Sequence, residues 1–284
     1  MTCCLCRWFC CCCVNERTSS DDDDVLEPLL PDPYTPPGCV VIDGEKPLVR
    51  RNYHALPEAE KSRFLKAVAK MVEPVEPDDP SYFSPFFQIA SYNRWPMHFG
   101  NNLPKSMMPW CRALWYRAYL HEFEVALQAA DISCGGDGKI SLPYINVLAH
   151  PTVPEQLRQF TFPEEYIRAN EELAKVNKRM RSDTAIREAL VGLHVHRGMR
   201  DEEIDAAATH VLNAYGLKHS EYVAFNPAFY MILAFVDRMY VMHGQSRTQG
   251  ITPKSPEYWK ILVPFRKLPM ELVDTRALGY TYEK

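Results

Sequence analysis

Tyr116-Arg117-Ala118-Tyr119-Leu120-His121-Glu122-Phe123-Glu124-Val125-Ala126-Leu127 is the stretch that decides the architecture. Around it Trp115, Tyr119, Phe123, Ala126, Leu127 and Ala130 recur three or four residues apart, the spacing that puts side chains on one face of an α-helix. The pattern predicts a helix over about 110–130, with Gly135-Gly136 beyond its end. Moving outward, Pro57 opens an earlier helix with Glu58 and Glu60 at its positive end. Its apolar face is Phe64, Leu65, Val68, Met71 and Val72, and Pro74 follows. Three more helices are predicted over 164–180, 183–195 and 201–215, the last stopped by Gly216. Asn226-Pro227 is a start signal, with Asn as the cap and Pro in the first helical position. The helix it opens runs through Phe229, Ile232, Leu233, Val236, Met239 and Tyr240. A short strand is expected at 39–42, closed by Asp43-Gly44. The fold class is mainly α, a bundle of antiparallel helix pairs with long irregular loops.

At 284 residues the chain can bury one sizeable core. Its net charge of −4 and the lack of any Lys/Arg run argue against nucleic acid as a partner. Nothing in the sequence approaches the roughly 18 apolar residues of a spanning helix. No phosphate loop, dinucleotide fingerprint or nucleophile elbow occurs. The segment 131–139 is too short and too poor in carboxylates for an EF-hand.

Cysteine usage is lopsided: seven of ten, Cys3, Cys4, Cys6, Cys10, Cys11, Cys12 and Cys13, crowd beside Trp8 and Phe9. That crowding suits reversible S-acylation and attachment to a membrane surface. Its spacing is not that of a zinc site, and the polar Asn15-Glu16 after a short apolar run does not read as a secretory signal. Residues 15–38, acidic and then Pro-rich, read as a linker. The organisation expected is therefore a Cys-rich segment at 1–14, a linker at 15–38 and one domain at 39–284. Cys39, Cys111 and Cys134 are too scattered for a disulfide framework. A cytoplasmic protein, tethered to a membrane through its cysteines, is the expectation, with secretion as the alternative.

Several segments in order resemble the central domain of the tyrosinase/hemocyanin family. The stretch from Val49 through Arg50 and Arg51 to Lys61 is similar to the family's Arg-rich opening and first helix. Residues 116–127 are close to its His-Arg-x-Tyr-Leu-x-x-Phe-Glu-x-Ala-Leu helix, and Leu142-Pro143-Tyr144 to the start of Leu-Pro-Tyr-Trp-Asp-Trp. Tyr222 to Phe229 with Val236-Asp237-Arg238 resembles the second copper-site helix, and 273–282 the closing stretch. The likeness covers 45–284.

The resemblance implies two copper ions, each held by three neutral imidazoles. Imidazole suits copper, and aliphatic groups cannot ligate it. Yet Tyr92 or Asn93 stands at the earliest ligand position, His98 retains the second, and the third falls on Tyr116 or Cys111. In the other set Gly192 and His196 take positions four apart on a helix, with His194 off register. Ile232 and Leu233 replace the Leu-His-His pair. With one or two ligands of six retained, the expectation is a pseudoenzyme, scaffold or binding module without a cofactor. The alternatives are a phenol or catechol oxidoreductase with unusual copper ligation, or a repurposed enzyme holding one metal or none. A single zinc would use His98, His196 and either Cys111 or His194. Trp110, Cys111 and Tyr116 are expected to line the old pocket, where an aromatic small molecule could sit. His150, His210, His219 and His243 fit no ligand spacing, and His121, on the second helix, is expected to pack or to face solvent.

Overall fold

The computed structural model describes residues 46–74, 84–93, 109–169, 171–175, 180–217, 222–243, 262 and 264–283. Among these, eight α-helices run in order: α1 Glu58–Val72, α2 Pro85–Ser91, α3 Pro109–Ser133, α4 Glu155–Arg158, α5 Glu164–Ala169, α6 Asp183–Leu190, α7 Asp201–Ala214 and α8 Ala228–His243. Two three-residue strands, β1 Leu48–Arg50 and β2 Tyr280–Tyr282, pair in parallel with Arg50 opposite Tyr282. No described helix is long and apolar enough to cross a membrane.

The chain follows its apolar period. α1 buries Phe64, Ala67, Val68, Met71 and Val72, and it packs chiefly on α3. α3 is 25 residues long and buries Leu114, Trp115, Ala118, Tyr119, Leu120, Phe123 and Leu127. α8 is the central rod: every residue from Ala228 to Asp237 is buried, as expected of a helix apolar on all sides. Asn226 caps it, its side-chain oxygen accepting from the Ala228 amide at 2.8 Å. Pro227 falls just before the first helical residue rather than on it.

Two predicted helices are shorter than their periodicity suggests. The helix expected over 164–180 ends at Ala169 and is followed by a 3-10 turn at Glu171–Lys175. Its exposed Glu164, Arg168, Glu171 and Lys175 leave Tyr166 and Leu173 as the buried anchors, and short helices depend on burial for their stability. The helix expected to reach Val195 ends at Leu190, because Gly192 turns the chain at φ 80°. The strand expected at 39–42 lies outside the described residues.

β1, β2, α3 and α8 meet at a buried ionic cluster. Arg50, with nothing exposed, donates from Nε and Nη2 to the two oxygens of Glu124 at 3.2 and 2.7 Å. Asp237 on α8 accepts from Arg117 Nε at 2.9 Å and from the hydroxyls of Tyr280 and Tyr282 at 2.7 and 2.8 Å. Glu124 also takes the Leu142 amide, and Arg117 reaches the carbonyls of Leu272 and Val273. Two guanidiniums face two carboxylates, each partnered, which is the condition under which buried charge is tolerated.

Candidate functional site

Of the positions singled out in the sequence, the described ones lie at the end of α2, on α3 and α8, and in the chain after α6. Tyr92 caps the end of α2, half-buried, its ring 6.5 Å from that of Tyr119 and 5.8 Å from that of Phe265. Tyr116 on α3 lies edge-on to Trp115 at 5.8 Å. Burial pushes its phenol up, Asp205 adds to this, and Arg112 opposes it. Ile232 and Leu233 sit in the middle of α8 with zero exposure, between Met231 and Ala234, which are equally buried. On the same helix Tyr230 stacks on Phe123 at 3.9 Å, and its hydroxyl lies 3.0 Å from that of Tyr119. The Tyr119 hydroxyl also donates to the Ala90 carbonyl of α2 at 3.3 Å. The hydroxyls of Tyr119 and Tyr230 and the rings of Phe86 and Phe123 thus meet between α2, α3 and α8. Burial holds both phenols well above their ordinary value, so neither is a phenolate ligand at neutral pH.

Gly192 is exposed, and a Cβ added there would touch nothing within 4 Å, so its left-handed backbone is what requires glycine. His194 and His196 are exposed in irregular chain beyond α6, not on a helix. Gly192 and His196 are therefore not four apart on a helix, where the resemblance places them. The His196 ring contacts the Arg197 carbonyl through Nδ1 at 3.2 Å, and its backbone amide donates to Met199 Sδ at 3.4 Å. Cys111 and Trp110 lie in the first turn of α3, and their side chains are outside the described set, as is all of His98. Among the described residues, no three His, Cys, Asp or Glu side chains gather where they could hold a metal.

The other described histidines have local surroundings of their own. His54 contacts the Thr152 carbonyl at 3.0 Å, and His210 the Ala189 carbonyl at 2.6 Å. Burial lowers His121 to about 4, helped by Lys267 and Arg50. A groove beside α1, lined by Arg51, Glu60, Arg63, Lys139 and Pro143, is internally charge-paired: Arg51 meets Glu60, and Arg63 meets Asp131 and Asp137.

The residues that sequence reasoning quoted without a role are Arg50, Arg117, Glu124 and Asp237. Their signal was present: Asp237 interrupts a wholly apolar run, and Arg117 and Glu124 lie seven apart on one helix face.

Comparison with solved structures supplies the architecture. A functional unit of octopus hemocyanin superposes with a TM-score of 0.53 at 16% identity, covering 84% of this chain and 68% of that one. The chain has the fold of a hemocyanin functional unit. Latent apple tyrosinase (15% identity, TM-score 0.47, 84% of this chain and 63% of that one) and a latent aurone synthase, a polyphenol oxidase (15%, 0.46, 85% and 59%), also match. No family model matches the sequence, and no curated protein matches it either. The hemocyanin-type fold agrees with the mainly helical expectation.

Proposed function

We propose that this hemocyanin-type domain does not hold a copper pair and works as a non-oxidase, a pseudoenzyme acting as a scaffold or binding module. The observation that carries the reading is the complete burial of Ile232 and Leu233, where the sequence resemblance calls for imidazoles. Neither side chain can ligate a metal. An empty cage of buried imidazoles would leave polar groups without partners, each costing about 1–3 kcal/mol. Aliphatic groups remove that cost and turn the place into ordinary core. Tyr92 or Asn93, Tyr116 or Cys111, and Gly192 stand at other positions where the resemblance calls for imidazole.

Metal analysis after purification in copper-supplemented medium tests this. The expected result is no stoichiometric copper, no oxygen-dependent absorption band and no catechol oxidation. About two coppers per chain with those activities would overturn it. One zinc per chain, released by replacing His98 and His196, would favour a repurposed enzyme instead.

A separate proposal concerns the crowded cysteines. Several acyl chains on Cys3 to Cys13 would hold the protein on a membrane surface, since one chain alone binds only marginally. Replacing all seven by serine should move the protein from membrane to soluble fractions; unchanged partitioning refutes the idea.

A further inference from the structure

We propose that His54 and His150 form a surface site for one late first-row divalent cation of the zinc type. Neither residue belongs to α2, α3, α8 or the chain after α6, where the described copper positions fall, so the proposal does not rest on the reading above.

Three observations carry it. First, the two rings are neighbours, with centroids 5.8 Å apart and planes at 59°. A zinc ion sits about 2.0–2.1 Å from an imidazole nitrogen, hence about 3.2 Å from the ring centre. Two rings sharing one ion at about 110–130° therefore have centres about 5.2–5.8 Å apart. The observed separation falls at the upper end of that range, and His150 is exposed, so its ring can close the rest without disturbing the core. Second, the His54 ring is in the state a metal needs. Its Nε2 faces the Thr152 carbonyl at 3.0 Å. A carbonyl only accepts, so Nε2 carries the proton and Nδ1 keeps its lone pair. Giving the other N–H to a backbone carbonyl is how protein imidazoles are oriented toward a metal. Burial lowers His54 from its ordinary value, with His150 and Lys61 adding to this and the Thr152 carbonyl opposing it, which keeps the ring neutral at pH 7. Lys61 is itself paired with Glu58 at 3.5 Å. Third, the two segments are tied together before any ion arrives. Asn52 Oδ1 accepts from the amides of His54 at 3.4 Å and Asn146 at 3.3 Å, and the Asn146 carbonyl accepts from the His150 amide at 2.8 Å. The Tyr53 amide donates to the Tyr144 carbonyl at 2.8 Å, and the Tyr144 amide to the Arg51 carbonyl at 3.0 Å. A pair held in this way needs little further ordering to bind.

Imidazole suits zinc, copper and nickel. Two protein ligands are fewer than the three or four of firmly held zinc, so the ion is lost on purification and is added back to reveal the site. The test uses the full-length chain with its seven N-terminal cysteines replaced by serine, so that thiolates do not compete. It is stripped with chelator and titrated with zinc chloride, read by calorimetry and by thermal unfolding. One zinc per chain should bind saturably and raise the melting temperature. His54→Gln and His150→Ala should each weaken binding by about tenfold or more and remove the rise in melting temperature, whereas His196→Ala leaves both unchanged. His150 is exposed, so its replacement reads the site even if His54→Gln disturbs the fold. Zinc bound equally well by the His150→Ala chain overturns the proposal, as does the absence of saturable binding. Zinc lost on replacing His98 or His196 instead also overturns it and speaks for the repurposed enzyme, so the two failures are distinguishable.

Discussion

His121 shows how one half-buried side chain writes a pH dependence into the fold. It sits on α3 with its Nδ1 buried and without a hydrogen-bond partner among the described residues. Burial first, then Lys267 and Arg50, lowers it from the ordinary 6.5 to about 4. A folded-state value below the unfolded one means that the unfolded chain takes up the proton first. The stability is therefore complete above about 6.5 and declines as pH falls toward 4, by on the order of 3 kcal/mol for a shift of this size. Glu122 beside it moves the other way, raised by burial against the pull of Lys267. We expect melting temperatures to fall between pH 7 and pH 4 in the wild type and to fall less in His121→Gln. Identical slopes in the two proteins would mean that His121 does not titrate as its surroundings demand.

At the scale of elements, ends matter more than middles. The apolar period of α1, α3, α7 and α8 is long and regular, and all four appear where the sequence puts them, with ends shifted by a few residues. α5 and α6 come out shorter than their pattern because too little of one face is buried, or because Gly192 stops the helix. α2, the four-residue α4 and both strands went unread. Seven residues with Phe86, Ile89 and Ala90 inward are too few for periodicity to speak, and three-residue strands have no pattern at all. The Asn226 cap was legible because its chemistry is local. Asn226→Ala should cost about 1 kcal/mol for the lost cap. Its amide also donates to the Leu157 carbonyl at 2.8 Å, so the loss should be larger, near the upper end of about 2 kcal/mol. Denaturant unfolding that shows no change would remove the cap from the account.

In the molecule as a whole, one ionic cluster ties together segments more than two hundred residues apart. Burial alone would raise Asp237, but Arg117, Arg50 and the hydroxyls of Tyr280 and Tyr282 more than offset it and hold the carboxyl below its ordinary value. Such a group stabilises the fold above its unfolded pKa, and the benefit goes as pH falls through the lower folded one. Removing one member leaves a buried charge without its partner. Arg50→Met should therefore destabilise by about 3–5 kcal/mol, measurable as a lower denaturation midpoint. A change below about 1 kcal/mol would mean that water reaches Glu124 and Asp237.

Sequence by itself determined the helical class, the main helices and the identity of the residues at the positions in question. Those rest on side-chain period and on chemistry a residue carries with it: leucine does not bind metal wherever it sits. Only tertiary structure decided that Tyr119, Tyr230 and Ala90 meet between α2, α3 and α8, that Phe265 reaches into the rings beside them, and that Arg50 finds Glu124 and Asp237. These depend on which distant segments come into contact, and a one-dimensional pattern holds no measure of that distance.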